Sequence, residues 1–160
     1  MQTRELQTLW WDWLSTSERL LRSLHEQTAA LTLRDIARVE RIQPELDALL
    51  ERVQTIDTQA AASAKKLAEE LGTEPSLRGL VGALEKAEAQ QVQAIANRIT
   101  AAARNLQEVF AKNRTLIESE MTYVNGTLTL IAKAAKDSEV VYTGRRGRPR
   151  SAAVLIDQAA

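Results

Sequence analysis

Apolar residues recur every three or four positions along most of the chain, which is the spacing of one face of an α-helix. The first run predicts a helix over about residues 3–30. Its apolar face carries Leu6, Leu9, Trp10, Trp13, Leu20, Leu24 and Leu31. A second helix is predicted over about residues 32–71, because Thr32 followed by Asp35 is a capping-box-like start and Gly72 is a typical end.

The second run has the steps of three and four that characterise a heptad repeat. It comprises Leu46, Leu49, Val53, Ile56, Ala60, Ser63 and Leu67. Pro44 lies within the predicted helix, where it has no N–H to donate and crowds the carbonyl four residues back. The sequence therefore predicts a helix that Pro44 either kinks or divides.

The third run predicts a helix over about residues 76–135, after a turn at residues 73–76. Gly79 and Gly82 weaken its first turns, so a short separate helix there is an alternative. The apolar positions are Val92, Ile95, Ile99, Ala102, Leu106, Val109, Ile117, Met121, Val124, Leu128 and Ile131. From Val109 through Asn113 and Ile117 to Met121 the steps are all four, a stutter that locally straightens a supercoil.

These patterns place the chain of 160 residues in the all-α class. We predict an elongated antiparallel helical bundle, or coiled coil, of three long helices over residues 1–137. Residues 138–160 contain a Gly- and Arg-rich stretch that cannot continue a helix, and they are expected to form a flexible basic tail. Ala, Leu, Gln, Glu and Arg dominate the composition, and all five are good helix formers.

The composition and charge of the chain argue against several classes of function. The 21 basic and 21 acidic residues balance, so no general attraction to nucleic acid or membrane is expected. No membrane-spanning segment and no signal peptide are expected, and we place the protein in the cytoplasm. In the tail, Arg146-Gly147-Arg148-Pro149 is the centre of an AT-hook, which leaves a DNA-binding protein as an alternative.

The residues needed for catalysis are scarce. His25 is the only histidine and the chain has no cysteine. The stretch that begins His25-Glu26 has Ala29 where a zinc-protease helix needs its second histidine. We therefore expect neither an enzyme nor a metal, cofactor or small-molecule substrate.

Three features suggest contacts with partners or between helices. Asn113 occupies a core position of the heptads, where a buried Asn commonly fixes helix register. Trp11 falls more than about 100° from the Leu face of its helix, so it is either half-covered by a neighbouring helix or an exposed anchor for a partner. The first helix, of about 28 residues, cannot cover the whole third helix, which has about 50 residues from Leu84 onward. Part of the apolar stripe after Asn113 should then be exposed.

The third helix and the tail resemble a known pattern. Asn113-Arg114-Thr115-Leu116-Ile117-Glu118, Tyr123-Val124-Asn125, Leu128-Thr129-Leu130-Ile131 and Val141-Tyr142-Thr143-Gly144 are similar to the C-terminal pattern of the FlgN family of flagellar type III export chaperones. The resemblance implies a cytosolic chaperone that binds C-terminal helical segments of hook-associated proteins, which form the hook–filament junction. It would prevent their premature assembly and deliver them to the flagellar export apparatus.

The resemblance also implies where the partners bind. The expected client surface comprises Asn113, Leu116, Ile117, Met121, Val124, Leu128 and Ile131. Tyr142 and Gly144 are expected to contact the gate or ATPase components of the export machinery. Heptads do not identify the partner helix, however, so a self-associating structural coiled coil is the other alternative.

Overall fold

A computed structural model describes residues 2–142, and all of its regular structure is helical. The helices are α1 (Arg4–Thr32), α2 (Ile36–Leu71), α3 (Leu77–Ala83) and α4 (Lys86–Tyr142). No strand occurs within residues 2–142, which confirms the predicted all-α class. The chain divides into two units, Met1–Asn113 and Arg114–Ala160, and each is described by itself.

The turn between α1 and α2 differs from the prediction. Thr32 is the last residue of α1 rather than the N-cap of α2. The N-cap is Asp35, whose carboxylate accepts a hydrogen bond from the Arg38 N–H at 3.2 Å. Both side chains are good caps, and the extra length of α1 decides between them.

Two helices end in the same hydrogen-bond arrangement, the Schellman motif. At the end of α2, Gly72 has φ +68°, as a left-handed C-terminal residue requires, and the Thr73 N–H bonds back to the Ala68 carbonyl at 2.9 Å. The predicted helix end at Gly72 is confirmed. At the end of α1 the left-handed position is occupied by Arg34, with φ 53°, a conformation that favours glycine.

Pro44 lies inside α2 without dividing it, so of the two alternatives left open for Pro44 a divided helix is not the one observed. The segment predicted as one helix from residue 76 is two helices, because α3 ends at Ala83 and Leu84 is extended. The short separate helix that the glycines made possible is therefore present. Gly79 is needed there, since a Cβ would lie 2.6 Å from the Glu74 carbonyl oxygen.

The first unit is held together by apolar residues on the predicted faces. All seven heptad positions of α2, from Leu46 to Leu67, are buried. One cluster joins α1, α2 and α4 through Trp13, Leu20, Leu24, Ala30, Ile42, Leu46, Leu49, Val53, Ile56 and Leu106. A second cluster joins α1, α2 and α3 through Leu6, Ala60, Leu67, Ala68 and Leu80. Burying each large side chain stabilises the fold by about 1.5–3 kcal/mol.

Contacts between side chains give the helix directions within this unit. Leu6, near the start of α1, packs with Leu67, near the end of α2, so these two helices are antiparallel. Gln7 donates to Gln91 at 3.3 Å, and near the other end of α1 Thr28 bonds to Asn113. The first part of α4 therefore runs parallel to α1.

Candidate interaction surfaces

The part of α4 after Asn113 carries the expected client surface. Ile117, Met121, Val124, Leu128 and Ile131 follow one another in steps of four and three, which places them on one face of the helix. Ile117 is 37% exposed, while Leu116 and Met121 are half-buried. The side chains of Val124, Leu128 and Ile131 lie outside the described residues.

Two exposed apolar residues on this segment were missed by the sequence analysis. Tyr123 is 53% exposed and Leu130 is 69% exposed. They follow Leu116 at intervals of seven, so apolar pairs repeat as Leu116-Ile117, Tyr123-Val124 and Leu130-Ile131. At 100° per residue these positions widen the apolar surface to about half of the helix circumference. The paired repeat was the signal that could have identified them.

Asn113 was expected on the client surface, but its side chain is only 2% exposed. Its amide nitrogen donates to the Leu24 carbonyl at 3.0 Å and to Gln27 Oε1 at 2.9 Å. Its amide oxygen accepts a hydrogen bond from the Thr28 hydroxyl. All of these groups belong to α1, so the hydrogen-bonding capacity of Asn113 is used inside the first unit and fixes the register of α4 against α1.

A second surface lies between α1 and the first part of α4, around Trp11. The Trp11 ring is 48% exposed, and the Arg98 guanidinium carbon lies 5.4 Å from the ring centroid, as in a cation–π pair. The neighbouring tryptophans differ, since Trp13 is buried and Trp10 is half-buried against the core. Trp11 is therefore half-covered by Arg98 of the neighbouring helix α4, which is one of the two interpretations left open, and its role as an anchor for a partner stays a prediction.

Other predicted positions offer little to describe. His25 is exposed. Within residues 2–142 no group of three or more His, Cys, Asp or Glu side chains could hold a metal, and no helix is long and apolar enough to cross a membrane. Tyr142 ends α4, and its side chain lies outside the described residues, as do Gly144 and the AT-hook-like residues 146–149.

Comparison with known families decides what kind of protein this is. The family model described as FlgN protein matches residues 1–150. The chain belongs to the FlgN family. No curated protein and no solved structure matches it.

The FlgN assignment covers all of the described helices as well as Gly144 and the AT-hook-like residues. It makes the protein a flagellar type III export chaperone of a family that binds hook-associated proteins. The predicted resemblance is thereby confirmed, and the chaperone interpretation takes precedence over the structural coiled coil and the DNA-binding protein. The roles of the individual FlgN residues stay predictions.

Proposed function

We propose that this FlgN-family chaperone holds the C-terminal helical segment of a hook-associated protein on the apolar surface of α4 after Asn113. That surface, the distal α4 surface, comprises Leu116, Ile117, Met121, Tyr123, Val124, Leu128, Leu130 and Ile131. The observation that carries the proposal is the exposure of Ile117, Tyr123 and Leu130. Exposed apolar side chains that recur at helical intervals on one segment are typical of a surface that a partner covers.

The width of the distal α4 surface indicates how a client would bind. A helix lays its apolar face against such a surface through residues at i, i+3, i+4 and i+7. The client's own apolar face, which pairs with other copies during assembly, would be covered in the same contact. Premature assembly is prevented as long as the contact lasts.

Release is as necessary as binding for a delivery chaperone. A single client helix covers less area than the 1,600 Å² or so of a stable protein–protein interface, and ordering a flexible client segment costs further free energy. The contact is therefore reversible, and the client can pass to the export apparatus. We propose that the end of α4 and the residues after it, including Tyr142 and Gly144, contact that apparatus while the client is still bound.

Introducing charge into the apolar face tests the client surface. The double variant Ile117→Asp, Leu128→Asp places two carboxylates on the apolar face, and the affinity for a hook-associated protein of the same organism should fall at least tenfold, or by about 1.4 kcal/mol. Titration calorimetry on the purified pair measures it. The matched control, Thr122→Asp with Thr129→Asp, adds the same charge to exposed positions on the opposite side of α4.

The control variant should bind within twofold of the parent, and both variants should keep their helix content. Unchanged affinity of the Ile117 and Leu128 variant would place the client elsewhere. Loss of the fold would show that the stripe is part of the core. A dimer of the free parent chain in light scattering, disrupted by the same variant, would favour a second copy as the occupant.

Truncation tests the division between binding and delivery. A chain that ends at Asp137 lacks Tyr142 and Gly144, and it should bind the client with unchanged affinity while export of the client falls. The single variant Tyr142→Ala, in the full chain, separates the side chain from the loss of length. If truncation abolishes client binding while the fold is intact, the two functions share one surface and the proposal is wrong.

A further inference from the structure

The surface around Trp11 is a groove between α1 and the first part of α4, with walls that are mostly apolar. On one side of Trp11 and Arg98 lies a cavity of about 530 Å³, lined by Leu14 and Leu21 of α1 and by Ala101, Ala102 and Leu106 of α4. On the other side lies a cavity of about 410 Å³, lined by Gln7, Ala94 and Ile95. The alanines of α4 leave these cavities open, since a methyl group does not fill the space between the helices.

The length of the groove matches a helix of about four turns. From Gln7 to Leu21 it extends along 15 residues of α1, a rise of about 21 Å, or about four helical turns. A partner side chain could enter the groove on either side of the Trp11 ring.

The two charged side chains that line the larger cavity have no counter-ion in the described part of the chain. Arg98 and Glu18 are the charged residues that line the larger cavity. Neither forms an ion pair within residues 2–142, whereas Arg52 pairs with Asp12 at 3.2 Å on another face of α1. Glu18 lies seven residues after Trp11, or about 10 Å further along the helix. The groove therefore presents a positive group beside Trp11 and a negative group two turns away.

Trp11 and Arg98 are also the residue types that dominate binding energy at interfaces. Truncating Trp or Arg at the centre of an interface often costs more than about 2 kcal/mol. Trp11 belongs to neither apolar cluster of the first unit. The Trp11 ring therefore does not contribute to either core cluster. The Arg98 guanidinium over it lies where its N–H groups can bind a carboxylate.

We propose that this groove is a second docking site, distinct from the distal α4 surface, and that it accepts an amphipathic helix of another protein. The helix lays its apolar side chains along Leu14 and Leu21, places a carboxylate on the Arg98 guanidinium and carries a basic residue seven positions away, near Glu18. The charge order selects both the partner sequence and its direction in the groove. The site is independent of where the hook-associated client binds.

Synthetic peptides with swapped charges test the proposal on the full-length chain. The probe is a stapled helix of 18 residues with apolar positions at i, i+4, i+7 and i+11 and with Glu and Lys seven residues apart. A second peptide has the two charges exchanged. Affinity is measured by calorimetry and by the fluorescence of Trp11, the most exposed of the three tryptophans. The variants are Arg98→Glu and Trp11→Ala, and the control is Arg104→Glu, at an exposed position of α4 outside the groove.

We expect the probe to bind the parent at least tenfold more tightly than the exchanged peptide. Arg98→Glu should abolish this preference, because both charged positions of the groove are then acidic. Trp11→Ala should weaken both peptides at least tenfold, and the control should change affinity less than twofold. The helix content of every variant should equal that of the parent, since Trp11 and Arg98 are both exposed. If Trp11→Ala loses helix content, Trp11→Phe replaces it as a milder variant. The Ile117→Asp, Leu128→Asp variant should bind the probe normally, which separates this site from the client surface.

Three results would overturn the proposal. The probe could fail to bind, or it could bind Arg98→Glu as well as the parent. A dimer of the full-length chain that Arg98→Glu abolishes would show that the groove is occupied by a second copy instead.

Discussion

The hydrogen bonds of Asn113 allow a quantitative prediction. Its amide group makes three of them with α1, to the Leu24 carbonyl, the Gln27 side chain and the Thr28 hydroxyl. A typical intramolecular hydrogen bond contributes about 1 kcal/mol net. Because the Thr28 hydroxyl also has the Leu24 carbonyl as an acceptor, Asn113→Ala should lower the free energy of unfolding by about 2–3 kcal/mol. That is a large fraction of the 5–15 kcal/mol by which domains are usually stable.

A double-mutant cycle separates the hydrogen bonds from simple packing. Asn113→Leu keeps the number and branching of the side-chain heavy atoms but leaves the buried Gln27 amide oxygen without its donor. Replacing both residues by Leu removes both polar partners, and the Thr28 hydroxyl still has the Leu24 carbonyl at 2.9 Å as acceptor. We therefore expect the double variant to be more stable than the sum of the single losses predicts, with a coupling of at least about 1 kcal/mol.

Urea denaturation followed by far-ultraviolet circular dichroism measures these changes. The control is Asn105→Ala, at an exposed position of α4, which should change stability by less than about 0.5 kcal/mol. A loss below about 1 kcal/mol for Asn113→Ala, or additive losses in the cycle, would refute the reasoning. A tenfold drop in client affinity at unchanged stability would instead restore Asn113 to the client surface.

Three further predictions concern single positions. Arg34→Gly should stabilise the fold by up to about 1 kcal/mol, because Arg34 ends α1 in a left-handed conformation that favours glycine. Gly72→Ala should destabilise the fold by about as much, since the added Cβ would meet no atom within 4 Å and only the backbone is strained. Urea denaturation midpoints check both. Partial burial raises the pKa of Asp57 above its ordinary value. The folded state then binds more protons than the unfolded state, so stability falls as pH rises between the two pKa values. Asp57→Asn should accordingly increase the free energy of unfolding at neutral pH by less than about 1 kcal/mol, which is seen as a higher melting temperature. Near pH 3 the variant and the parent should be equally stable.

The sequence alone determined the helices and their buried faces. Periodic apolar residues and terminal signals such as Gly72 act within a few turns, so they can be interpreted without knowing what the helix packs against. The seven heptad positions of α2 are all buried, as predicted. The repeat of apolar pairs that contains Tyr123 and Leu130 was equally local, and it was visible in the sequence.

Only the tertiary structure decided which groups meet. Asn113 could have faced a client or a neighbouring helix, and its role was settled by Leu24, Gln27 and Thr28, residues more than 80 positions away. The pairing of Trp11 with Arg98 has the same origin, since it depends on the register of α4 against α1. The residue type at a heptad position indicates that its side chain will be buried or hydrogen-bonded. The partner of that side chain depends on how whole helices pack, and no local pattern encodes this packing.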